Sequence, residues 1–176
     1  MSKKSVLTTT VGFFIIGLLA WMHGLPLVGW VDMPAAGPST ATVSLAIILG
    51  ALGVLAYFHD DALNGVIFLG FAALVGSHSV GALAAGGAYA WNLVFWAVFF
   101  LSIYWAARKG CANRAFFVLA LGLSLAADAV KHGSGGSHLA ALVEGYLGLL
   151  AGVLALVKSA RTIMHSNVSE GTQTAA

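Results

Sequence analysis

Five ionisable residues stand in or at the edges of otherwise apolar stretches: Glu144, His78, Asp128, Lys131 and His23. Glu144 opens the run VEGYLGLLAGVLALV, residues 143–157. A carboxylate inside a bilayer costs at least roughly 2.5 kcal/mol, so its presence points to function. On a helix it shares a face with Gly148 and Ala151, at i+4 and i+7, and that face packs against protein rather than lipid. Gly148 and Gly152 form a small-xxx-small pair that lets two helix backbones approach closely. With Gly145 they read as packing residues. Histidine and a desolvated carboxylate are the groups whose charge changes near neutral pH. The chemistry on offer is therefore proton exchange and solute selection. The plainer reading of Glu144 is a residue at the outer interface, solvated by headgroups.

Each companion residue has a plain reading beside the functional one. Asp128 and Lys131, at i and i+3, can be a local ion pair. His23 can be an interfacial hydrogen-bonding residue. His78, flanked by Ser77 and Ser79, lies inside an apolar span and reads either as pore lining or as an interhelical hydrogen bond. His59, Asp60 and Asp61 read as a solvated turn. Histidine and carboxylate suit zinc, copper or iron. No His-x-x-x-His or Glu-x-x-His pair occurs within a span, so no metal site is expected. Neither a nucleophilic triad nor a Gly-rich phosphate loop with Lys-Ser/Thr is present, so neither an enzyme nor an ATP-driven pump is encoded, and no cofactor is called for. The single Cys111 excludes an internal disulfide. Basic patches with interleaved aromatics are absent, so nucleic acid is not a partner.

The elements that carry these residues follow from composition. Of 176 residues, 60% are hydrophobic and 8% charged, and the mean hydropathy is +0.94. A soluble domain carries roughly a quarter charged residues, so the chain belongs in the bilayer. A span needs about 20 apolar residues, and six candidates occur: Val6–Met22, Ala41–Phe58, Asn64–Leu83, Ala88–Ala107, Ala115–Val130 and His138–Val157. The basic start and apolar core of the first resemble a signal peptide, but the cleavage site is poor and the segment reads as a retained helix. Pro34, Gly37 and Pro38 mark the first loop, residues near Ala84–Gly87 a turn, Arg108–Arg114 a charged break, and Lys131–Ser137 a linker. The fold class is all-α, a polytopic membrane protein of six transmembrane helices. Residues 1–158 form one domain, and 159–176 a polar, disordered tail.

The basic residues orient the chain. With both termini cytoplasmic, Lys3, Lys4, Arg108, Lys109, Arg114, Lys158 and Arg161 lie inside and only Lys131 outside. Trp21, Trp30, Tyr89, Trp91, Tyr104 and Trp105 fall near span ends, as an aromatic belt requires. His23, His78, Asp128 and Glu144 then share the outer half of the membrane, with His132 and His138 flanking the outer linker. That arrangement suggests a titrating vestibule leading into an apolar constriction that excludes hydrated ions. Trp96, Phe99 and Phe100 are candidates for its lining, although aromatic residues in a span more often face the core or lipid.

Several pieces of the sequence resemble the acetate uptake transporter family, the succinate–acetate permeases. Gly12-Phe13 followed by Leu18-Leu19 and His23 resembles the family's first helix. Trp96-Ala97-Val98-Phe99, Arg108-Lys109-Gly110 and Phe116-Phe117 resemble its tryptophan–phenylalanine helix, basic turn and paired phenylalanines. Gly145-Tyr146, Gly148, Gly152 and Ala155 follow its last helix. The resemblance implies a hexamer of six-helix subunits in the plasma membrane (here the bacterial inner membrane), each with its own pore for short monocarboxylates and coupled to protons. Two departures stand out. The family's Asn-Pro-Ala-Pro-Leu-Gly signature is replaced by Lys4–Thr9, KSVLTT, and Glu144 stands where the family has a small residue. An ionised Glu144 repels a carboxylate by about 4 kcal/mol at 4 Å and an effective dielectric of about 20. Acetate then requires a protonated Glu144, or compensation by Lys131 and histidine. Proton-gated channels for urea and amides, which also begin their last helix with Glu-Gly, are the alternative. A non-transporting oligomeric scaffold is a third.

Overall fold

The structure is a computed structural model and describes residues 3–32, 40–59, 61–81 and 87–173. Pro34, Gly37, Pro38, Asp60, Leu83 and the turn at Ala84 lie outside the described residues. Six helices follow in chain order: α1 (Lys3–Leu27), α2 (Thr40–Phe58), α3 (Ala62–Gly81), α4 (Gly87–Ala107), α5 (Ala112–Gly133) and α6 (His138–Gln173). Five are long and apolar enough to cross a membrane, and the apolar part of α3, Ala62–His78, is shorter. Their neighbours run in a ring, α1–α2–α3–α4–α5–α6 and back to α1, with a light α1–α3 contact that leaves α2 on the periphery.

Several helix ends differ from the sequence expectation. Helix α1 continues past Met22 to Leu27 and holds Pro26 in its last turn, where few helical hydrogen bonds remain to be lost. Gly29, at φ 72°, then turns the chain, and Trp30 N–H donates to Leu25 O at 3.2 Å. The α5 helix runs to Gly133, so Lys131 and His132 are its last turn and not a linker. The turn proper is shorter, with Gly135 and Gly136 at φ 75° and 100°. Ser137 Oγ accepts the Ala140 N–H at 3.3 Å and so starts α6. That helix does not stop at Val157. It is helical through Gln173, and Ser159 and Thr162 are buried.

Helices α1 and α6 pack antiparallel over facing glycines. A methyl group at Gly145 would lie 2.8 Å from Val28 Cγ1 and 3.3 Å from Gly24 O. One at Gly152 would meet Gly17 O at 3.1 Å. Gly148 has more room, its nearest neighbours at 3.6 and 3.9 Å. Close backbone approach at small residues is the packing mode available where lipid removes the hydrophobic driving force. The seam is locked by Ser159 Oγ donating to Thr10 O at 2.9 Å. Asn113 Nδ2 donates to Leu154 O at 3.1 Å and ties α5 to α6.

The parallel helices α1, α3 and α5 behave differently. Among the described residues, α1 and α5 nowhere approach within 8 Å, Cα to Cα, and neither do α3 and α5. Side chains fill the space they enclose, and the outer faces of α2 and α4 expose Ile47, Phe58, Trp91, Phe95 and Trp105 as a bilayer requires.

Candidate functional site

The enclosed space is lined by the same pattern on all three parallel helices. Thr9 and His23, Asn64 and His78, and Arg114 and Asp128 are each fourteen residues apart. That is about four helical turns, or roughly 21 Å, so each pair lies on one face. Between the members of each pair stands a phenylalanine: Phe13, Phe68 and Phe117, all fully buried. Phe13 meets Phe68 edge-on with ring centroids 5.2 Å apart, and Phe117 at 5.7 Å. The result is a polar end, a layer of packed phenyl rings one turn from it, and a second polar end ten or eleven residues beyond the rings.

The histidine end gathers charged groups and histidines from four helices and a tyrosine from a fifth. Lys131 Nζ lies 2.5 Å from Glu144 Oε2 and 2.7 Å from Asp128 Oδ1. His23 Nε2 is 2.6 Å from Glu144 Oε1. His78 Nε2 stands 3.5 Å from Asp128 Oδ2, and His132 Nε2 3.3 Å from Asp128 Oδ1. Tyr89 of α4 closes the group, its ring edge-on to His78 at 5.4 Å and to His132 at 4.8 Å. The His23 and His78 rings are 6.4 Å apart. Glu144 is 1% exposed and the Asp128 side chain 4%, while the His23 side chain is 52% exposed. The cluster therefore opens outward on the His23 side.

Two buried carboxylates sharing one ammonium carry a net charge of one negative when the histidines are neutral. Three protonated histidines would make the same group net positive. Burial makes every contact here matter, since an unpaired charge in this setting is strongly unfavourable. Among the described residues no three His, Cys, Asp or Glu side chains converge so as to hold a metal ion. The ammonium of Lys131 occupies the centre between the carboxylates.

The opposite end is a polar network of different chemistry. Asn64 Nδ2 donates to Asp61 Oδ2 at 2.7 Å and to Thr9 Oγ1 at 3.3 Å. Arg114 Nη1 donates to Asn64 Oδ1 at 3.2 Å and lies 4.0 Å from Asp61 Oδ1. Asn64 is buried at 2% exposure. The expectation of a solvated turn thus fails for Asp61, because Asn64 and Arg114 draw its carboxylate into the bundle.

The structure brings Glu144, His78, Asp128, Lys131 and His23 together. Trp96, Phe99 and Phe100, offered as constriction residues, lie on α4 instead. Trp96 Nε1 donates to Ser77 Oγ at 3.0 Å, and the Phe99 and Phe100 rings pack over Gly70 of α3. The rings that meet between the parallel helices, one turn from the Arg114 end, are Phe13, Phe68 and Phe117. Sequence reasoning missed these, and also Tyr89, His132, Thr9, Asn64 and Arg114, as site residues. The signal that could have found them is the repeated fourteen-residue spacing, and for His132 its i+4 position after Asp128.

Neither a family model nor a curated protein matches the sequence. Among solved structures the chain is similar to the bacterial acetate channel SatP, with a TM-score of 0.77 and 18% sequence identity, over 91% of this chain and 93% of that one. The class defined by this architecture is a polytopic membrane protein built as a six-helix bundle. The particular fold is the one it shares with SatP, in agreement with the family resemblance carried by the sequence.

Proposed function

We propose that the chain forms a membrane channel through which small monocarboxylates such as acetate pass together with a proton. The observation that carries this reading is the register of the three parallel helices. They place a phenyl constriction between two hydrogen-bonding ends, on a fold shared with an acetate channel. Three phenyl edges and no polar partner penalise an anion but admit a small neutral molecule. A monocarboxylic acid is neutral once protonated, and the histidine end gathers imidazoles and carboxylates, the side-chain types that exchange protons with a bound solute. The side chains at the Arg114 end offer donors to a carboxylate leaving the constriction.

In this reading the histidine end faces outward and both termini are cytoplasmic, as the basic residues favour. The bacterial inner membrane is the expected location. Assembly as a homo-hexamer, one pathway per subunit, follows from the family the sequence resembles. A channel for urea or short amides is less well supported. Both oxygens of Glu144 are engaged, by Lys131 and His23, so the carboxylate is not a free acceptor for an amide N–H.

The test is uptake of radiolabelled acetate and urea into proteoliposomes at acidic and neutral external pH, with protein-free vesicles subtracted for acetic acid leak. Acetate uptake that rises in acid supports the proposal. Urea passage without acetate moves the assignment to an amide channel. Passage of neither, through an intact folded assembly, leaves a scaffold.

A further inference from the structure

Glu144 is held in the way a bound carboxylate would be. Each of its oxygens meets one nitrogen base from a different helix, Lys131 Nζ at 2.5 Å and His23 Nε2 at 2.6 Å. These are charge-assisted distances. The Lys131 half of the bracket does not depend on Glu144 for its placement. Lys131 is held independently by Asp128 at 2.7 Å, and His23 reaches solvent on its exposed side. The α6 backbone is anchored separately, since Ser124 Oγ donates to the Glu144 carbonyl at 2.9 Å.

We propose that Glu144 is a tethered occupant of an anion site built by Lys131 and His23, whose free ligand is a short monocarboxylate. The solute carboxylate enters the bracket by displacing the Glu144 side chain. This rests on the monocarboxylate reading above and adds the residues that bind the solute. Size sets a limit on the ligand. The atoms of Glu144 beyond Cβ are a methylene and a carboxylate, the skeleton of acetate. Glu144→Ala vacates a volume of that size, which formate and acetate match and longer acids exceed.

The test is chemical rescue. Glu144→Ala removes the acetate-like portion and leaves Lys131 paired with Asp128. In detergent, sodium acetate is expected to raise the unfolding temperature of this variant but not of the wild type, at matched ionic strength with sodium gluconate. Formate should act similarly, whereas butyrate and neutral acetamide should not. The double variant Glu144→Ala/Lys131→Met should lose the response. A folded Glu144→Ala protein indifferent to acetate overturns the proposal, as does an equal response to acetamide or in the double variant. If Glu144→Ala is not recovered folded, Glu144→Ser carries the test, because it vacates the same carboxylate volume. A folded Glu144→Ser protein with no acetate shift overturns the proposal equally. Rescue is read without transport, so its failure is separate from a failure of wild-type vesicles to pass acetate.

Discussion

Lys131 on α5 and Glu144 on α6 lie 2.5 Å apart, and the same ammonium is 2.7 Å from the Asp128 carboxylate. One cation is therefore shared by two carboxylates that are almost completely buried. Removing it leaves both carboxylates with only histidine partners. Lys131→Met is expected to lower stability by about 3–5 kcal/mol, the usual cost of breaking a buried charge pair from one side. Denaturant unfolding in detergent measures this. A variant as stable as wild type would show the carboxylates to be solvated or protonated.

Phe117 is fully buried and packs edge-on against Phe13. Phe117→Ala is expected to destabilise by about 3–5 kcal/mol, as Phe-to-Ala changes in cores do. The same change widens the constriction. The flux of butyrate relative to acetate in proteoliposomes should rise. An unchanged ratio in a folded variant would place the narrowest point elsewhere.

Asn64 joins Thr9, Asp61 and Arg114 at the other end. Asn64→Leu leaves buried polar partners unsatisfied and is expected to cost about 1–3 kcal/mol. The loss should be non-additive with Arg114→Met, because the two side chains share a hydrogen bond. Additive losses in a double-mutant cycle would show that they act independently.

Cys111 reports on sidedness and on local charge. It lies in the turn between α4 and α5, outside the spans. Burial alone pushes its thiol up. The backbone N–H of Arg114, the charge of Lys158, the N–H of Asn113 and the charge of Arg114 outweigh that and hold it below its ordinary value. A lowered pKa keeps the thiolate populated as pH falls through the ordinary value of about 8.5. Alkylation by an impermeant maleimide should thus titrate below that pH, and should need access from the cytoplasmic side. Labelling of intact spheroplasts would reverse the orientation, and a midpoint at or above the ordinary thiol value would refute the electrostatic account.

Spans were legible in the sequence because length and apolarity suffice to define them. The ionisable residues were legible too, since a charge in an apolar run stands out alone. The constriction was not. Phe13 and Phe68 sit in helices that are apolar on nearly every side, so no periodicity marks their inner face; α5 is more one-sided, but Phe117 stands beside the exposed Phe116, and residue type does not separate the two. The helical placement of Lys131 and His132 was hidden for another reason. KHGSGG has the composition of a loop, but pairing with Asp128 and Glu144 carries α5 on to Gly133. Asp61 looked like a solvated turn residue because its partners, Asn64 and Arg114, are distant or ambiguous in sequence and meet it only in the fold.

The most direct test of passage as a proton–carboxylate pair is the voltage dependence of acetate entry. Proteoliposomes loaded with a pH-sensitive dye are given an inside-negative potassium diffusion potential, and acetate uptake and lumenal pH are followed together. Electroneutral passage is expected: uptake unaffected by the potential and accompanied by lumenal acidification beyond the lipid leak. Uptake suppressed by the inside-negative potential, without acidification, would mean that the bare anion crosses, and would contradict the account of the phenyl constriction.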